Sequence, residues 1–203
     1  MLGLQRTRLA LNPWIAKALV LAGTTVMIAI RAPHGQRNRR IKVAASYKTR
    51  LETGLLILAW IGFLVPVIWV ASPAFSFAEF PLFTGPLVAG VMCLAVGLWL
   101  FYRSHADLGT NWSITLELRE QHHLITQGVY RRIRHPMYLA LALYSVGLVL
   151  IIPNWVAGPS NLVAFAILLA LRIRAEERMM VEGFGAEYAA YSMRTKRFIP
   201  GVW

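Results

Sequence analysis

The sequence predicts an all-α fold: a polytopic helical membrane protein with about five transmembrane helices, a short helical hairpin and a C-terminal cytoplasmic helix. Three observations carry this expectation. The chain is 57% hydrophobic and only 15% charged, whereas a soluble domain carries about 25% charged residues. Its apolar residues gather into five long stretches. Its basic residues fall in blocks between those stretches, the pattern of cytoplasmic loops beside membrane spans.

The first stretch, residues 14–30, follows Arg6 and Arg8 and could pass for a signal peptide. It is longer than the apolar part of such a signal, and Arg31 follows where a small-residue cleavage site would stand. It reads as a retained span, with Lys17 reaching for the interface. The second, residues 53–71, contains Pro66, which should kink it or end its regular part early. The third covers 82–102 and stops at Arg103. The fourth and fifth, 137–152 and 155–171, are separated by Pro153-Asn154 alone, which reads as a tight turn between two helices. Each is shorter than the roughly 20 residues that cross the hydrocarbon core.

Segments 31–52, 103–136 and the tail after 171 hold seven, five and six of the 21 basic residues. The connections 72–81 and Pro153-Asn154 hold none. Five spans with the C-terminus inside put all three basic segments on the cytoplasmic face. The net charge of +12 therefore suits membrane lipids as partners and gives no reason to expect nucleic acid. Cys93 is the only cysteine and lies in an apolar run. It can form no intrachain disulfide, and no metal site is expected.

Two polar segments flank the hairpin, which should bring them together: 105–138 and 172–191. The first holds His122-His123 and then Gly128-Val129-Tyr130, followed by Arg134-His135-Pro136-Met137-Tyr138. Gly128 suits a turn with positive φ. Pro136 suits the first turn of a helix, whose exposed N–H groups would face an anion beside Arg134 and His135. The second begins Arg172, Arg174, Glu176, Glu177. The two glutamates point about 100° apart on a helix, so one at most faces a given pocket directly. Acidic residues beside a span are paired or functional.

Gly128-x-Tyr130, Arg134-His135-Pro136-x-Tyr138, Glu176-Glu177 and Phe184-Gly185-x-Glu187-Tyr188-x-x-Tyr191 together resemble the isoprenylcysteine carboxyl methyltransferases, above all their short prokaryotic members. The resemblance covers about residues 100–200, so residues 1–102 read as N-terminal helices and 103–203 as the methyltransferase-like region. It implies an integral membrane enzyme of a bacterial inner membrane. Such an enzyme transfers a methyl group from S-adenosyl-L-methionine, at a site facing the cytoplasm, to a lipophilic carboxylate entering from the bilayer. It also implies cofactor contacts from His123, Leu124, Ile125, Gly128, Tyr130, His135, Pro136, Tyr138 and Glu176 or Glu177, with Glu177 the first choice. Position 123 is His here where relatives can carry Lys. Arg134 would orient the acceptor, and Glu177 would position Arg134 or hold the cofactor's ammonium; these two are the catalytic candidates.

Related architectures leave other acceptors open. A phospholipid amine or a small thiol would have to lose a proton, which would make His135 or a glutamate a base. Sterol-type reductases, which use NADPH, share an Arg-His-Pro-x-Tyr region, but here Leu139-Ala140 follows in place of Gly-Glu. A transporter would show an inverted repeat or a charge deep in a span, and the sequence shows neither.

Overall fold

The five apolar stretches form five helices in the computed structural model, which describes residues 11–38, 41–120 and 122–198. Arg6, Arg8, Arg39 and Arg40 lie outside the described residues. The helices are α1 (Pro13–Asn38), α2 (Arg50–Ala71), α3 (Thr84–Leu108), α4 (Pro136–Ile151) and α5 (Ala157–Arg194). Four are long and apolar enough to cross a membrane, and α4 is a shorter apolar helix. Only 22–33% of the residues in the four apolar windows are buried. Large side chains such as Met92, Trp99, Val163 and Ile167 face outward, as a lipid environment requires.

Close helix contact comes from small residues, since lipid supplies little hydrophobic drive between helices. A Cβ on Gly97 of α3 would sit 2.9 Å from the Tyr144 backbone nitrogen of α4, and one on Gly90 would sit 2.9 Å from the Gly147 carbonyl. Gly62 of α2 plays the same part against α5, where an added Cβ would meet that of Ala164 at 2.4 Å. Pro66 does not end α2, which runs on to Ala71. The proline removes the N–H that would serve the Gly62 carbonyl, and the Ser160 hydroxyl of α5 approaches that oxygen at 3.5 Å.

The hairpin is asymmetric. Helix α4 keeps to 16 residues, about 24 Å against a core of about 30 Å. Helix α5 has 38 residues, of which those before Gly185 run unbroken for about 42 Å. Its second half therefore continues beyond the bilayer and carries Glu176 and Glu177 past the start of α4. The C-terminal helix expected from sequence follows the fifth span across a kink. Gly185, at φ 50° and ψ −124°, interrupts the helical path and re-aims the final segment. The turn is also longer than Pro153-Asn154, because α5 starts only at Ala157. Asn154 shapes it by accepting from the N–H groups of Val156 and Ala157 and donating to the Phe75 carbonyl.

A short sheet departs from the helical pattern. Strand β1 (Val43–Ser46) pairs antiparallel with β2 (Glu117–Arg119). These are three- and four-residue strands, too short to leave an alternating pattern. They tie the loop before α2 to the loop after α3, at the end of the bundle where α4 begins.

Candidate active site

Pro136 occupies the first turn of α4, with His135 just before it. The backbone immediately upstream is fixed by the chain's far end. The Arg134 N–H donates to the Lys196 carbonyl at 2.7 Å and the His135 N–H to the Arg197 carbonyl at 3.0 Å. The tail after α5 is thus laid along residues 132–135. Gly128 has φ 60°, and a Cβ there would fall 2.0 Å from Asp107 Oδ2. That carboxylate accepts from the Val129 N–H at 2.8 Å, so Gly128 leaves room for an anchor that holds the loop against α3.

The two glutamates have separate surroundings. Glu177 accepts from Arg134 Nε and Nη2, both at 3.1 Å, and from Arg197 Nη2 at 2.8 Å. His135 Nε2 is 3.2 Å from it. Arg134 Nη1 also donates to the Ser192 carbonyl at 3.0 Å and to that of Thr195. Arg134 therefore ties α4's entrance to the tail. Glu176 accepts from the Tyr138 hydroxyl, lies 3.7 Å from His135 Nδ1 and 3.7 Å from Arg172 Nε. Burial by itself would lower the His135 pKa, but hydrogen bonds to Glu176 and Glu177 outweigh it and raise it above the ordinary histidine value. The Tyr130 hydroxyl is pushed well up by burial first and by the nearby Glu176 charge second.

A cavity of about 290 Å³ opens beside these groups, near the lower end of the range for ligand pockets, roughly 300–1,000 Å³. His123, Leu124, Ile125, Tyr130, Arg134, His135, Tyr138 and Glu176 line it; Gly128, Pro136 and Glu177 do not. Of the two glutamates, then, Glu176 faces the cavity and Glu177 holds the arginines behind it. The remaining wall runs into the membrane, through Leu56, Trp60 and Phe63 of α2 and Phe165 of α5. One cavity joins a charged end to an apolar end.

Several participants carry no signal in the sequence reading. Glu52 is 3% exposed; it accepts from the Leu116 N–H at 2.7 Å and lies 3.6 Å from Arg172 Nη2. It sits in a Thr49-x-x-Glu52 pattern that looks like a helix cap, and Thr49 does accept from its N–H. Arg197 reads as a topology charge, and Asp107 stands in no recognisable motif. The Tyr188 hydroxyl is buried on the cavity wall without a hydrogen-bond partner among the described residues.

Comparison with known proteins bears on these positions. A profile of the phospholipid methyltransferase family matches residues 86–187, half of the chain. Protein-S-isoprenylcysteine O-methyltransferase B of Arabidopsis thaliana is 37% identical over 89 residues, 41% of this chain and 43% of the relative. The Saccharomyces cerevisiae protein-S-isoprenylcysteine O-methyltransferase is 33% identical over 118 residues, 54% of this chain and 48% of that one. The chain spans about half the length of the curated relatives it matches. A solved structure, the eukaryotic intramembrane Ras methyltransferase ICMT (isoprenylcysteine carboxyl methyltransferase), shares the fold. Its TM-score is 0.51 at 23% identity, covering 78% of this chain and 55% of that one. Isoprenylcysteine O-methyltransferases are thus among its relatives, and the chain belongs to the phospholipid methyltransferase family.

Proposed function

We propose that this protein is an integral membrane methyltransferase that uses S-adenosyl-L-methionine to methylate a lipophilic carboxylate, of an isoprenylcysteine or a similar lipid acid, at the cytoplasmic face. The observation that carries this reading is the single cavity with a charged end and a membrane-embedded apolar end. A water-soluble methyl donor and a lipid acceptor need such a space in common.

The charged end suits the donor. Its sulfonium supplies a methyl group ready for displacement. A carboxylate, Glu176, and the faces of Tyr130 and Tyr138 suit a cationic ligand. The unpartnered Tyr188 hydroxyl offers a further hydrogen bond. His123, Leu124 and Ile125 border the same end, on a loop that Gly128 and Pro136 hold in place. Glu177 positions Arg134, whose guanidinium reaches the cavity wall and would orient the acceptor.

A carboxylate is already a nucleophile at neutral pH, so this chemistry asks for no strong base. The protein's contribution is placement: reacting atoms held about 3–3.5 Å apart and in line are worth several kcal/mol. His135, with a carboxylate near each ring nitrogen, acts as a strut between Glu176 and Glu177.

Detergent-purified protein should bind S-adenosylhomocysteine in a calorimetric titration and show no comparable affinity for NADPH. Given labelled S-adenosylmethionine and a panel of lipid acids, amines and thiols, it should label the acids. Labelling of amines or thiols alone would move the acceptor to another class. Absence of both binding and labelling would reject the methyltransferase reading.

A further inference from the structure

Three arginines line the cavity: Arg31, Arg134 and Arg172. Two are neutralised. Arg134 is paired with Glu177, and Arg172 lies between Glu52 and Glu176 while donating to the Ile114 carbonyl. Arg31 has no carboxylate partner among the described residues. Its guanidinium lies over the Trp112 ring, 5.2 Å from the centroid, a contact that fixes the plane and leaves the charge uncompensated. Arginine stays protonated in proteins, so the charge cannot be shed. An unpaired cation on the inner wall of a membrane-embedded cavity is unfavourable unless a ligand completes it.

The position of Arg31 narrows the ligand. It belongs to α1, beyond the family-matched residues 86–187, where Met27 and Ile28 also line the cavity, and it lies close enough to Arg172 for the two cations to repel. The carboxylate and tyrosine faces suited to a cationic donor lie on α4, on α5 and in the turn before α4. We infer that Arg31 is a specificity-determining residue that binds the acid group of the lipophilic acceptor, selecting carboxylates over neutral relatives of the same lipid. A planar guanidinium stacked on an indole can present two parallel N–H groups to a carboxylate, and Trp112 supplies that stacking. The inference rests on the proposed lipid acceptor, and it extends the acceptor site into the half of the protein outside the family match.

The test compares S-farnesylcysteine carrying a free carboxylate with its carboxamide. Binding is followed by tryptophan fluorescence, which Trp60 and Trp112 on the cavity wall should report. The wild-type protein should prefer the acid by tenfold or more. Arg31→Gln should reduce that preference to about twofold or less, Arg31→Lys should retain part of it, and S-adenosylhomocysteine affinity should stay within twofold in both. An acid preference that survives Arg31→Gln overturns the inference, as does a parallel loss of S-adenosylhomocysteine affinity, which would place the guanidinium on the donor. Because this is a binding measurement, it stands apart from catalysis. Methyl transfer with an Arg31-independent acid preference sinks this inference alone. An Arg31-dependent preference without methyl transfer sinks the methyltransferase reading alone.

Discussion

The two ends of the cavity follow different electrostatic rules. Where α4 and α5 meet, the buried and part-buried charges are matched among the described residues: Arg134 and Arg197 with Glu177, Arg172 with Glu52 and Glu176, and His135 between both glutamates. The α1–α2 wall is largely apolar, and Arg31 of α1, near enough to Arg172 to be repelled by it, has no carboxylate partner among the described residues. A self-satisfied network holds its geometry before any ligand arrives, whereas an unsatisfied wall depends on the ligand. The first end lies largely within the family-matched residues and the second outside them. The difference teaches that placement of a shared donor and selection of an acceptor can be divided between the two halves of one chain.

The sharpest way to break the comparison is to unbalance the matched end. Glu177→Ala leaves Arg134 and Arg197 without their carboxylate, and loss of one partner from a buried pair costs about 3–5 kcal/mol. The expected outcome is a lower unfolding temperature in detergent and methyl transfer reduced at least a hundredfold. Glu177→Gln should recover more stability than activity, separating the strut from the site. Glu52→Gln should act in the same direction through Arg172, more weakly: about 1–3 kcal/mol from a buried group whose bonds are only partly kept, with S-adenosylhomocysteine affinity falling as Glu176 loses its alignment. Gly128→Ala forces a side chain into the left-handed region, about 1–2 kcal/mol, and into Asp107 Oδ2 at 2.0 Å. Thermal unfolding should record that loss, and Asp107→Asn on the same background should not restore it. At the apolar end, Trp60→Ala should leave stability and S-adenosylhomocysteine affinity nearly unchanged and raise the acceptor KM several-fold.

Acidity sharpens the same contrast. The His135 pKa is raised in the folded protein, so its imidazolium stabilises the fold fully below the ordinary histidine value. That contribution is lost as pH rises through the elevated folded value. Unfolding temperature should fall as pH rises above the ordinary histidine value, and His135→Gln should flatten that dependence. A His135→Gln profile parallel to wild type would assign the titration elsewhere.

How much of this was legible in the sequence follows from the range of the interactions involved. The spans follow from composition, and the Pro136 helix start and Gly128 turn from local conformational rules, so both were readable. Bringing Arg134-His135 against Glu176-Glu177 followed from the short hairpin. The partition of the two glutamates did not: it depends on where Arg197 and the tail return, and residues 195–197 look like ordinary positive charge. Glu52 was hidden because its spacing from Thr49 already has a local explanation, while its partners, Leu116 and Arg172, lie 64 and 120 positions away. The β1–β2 pairing is equally remote and too short to leave a period. Arg31 looked like a span terminus because only the packing of α1 against the cavity gives it another setting.

The most direct test of the central claim measures transfer of a labelled methyl group from S-adenosylmethionine to a lipid acid by the purified protein, side by side with Glu176→Gln and Arg134→Lys. The account predicts base-labile, ester-linked label for the wild type. It predicts loss of at least a hundredfold for both variants, with S-adenosylhomocysteine affinity lowered mainly by Glu176→Gln. Wild-type rates from the two variants, or label that resists base as an amine or thioether would, would contradict it.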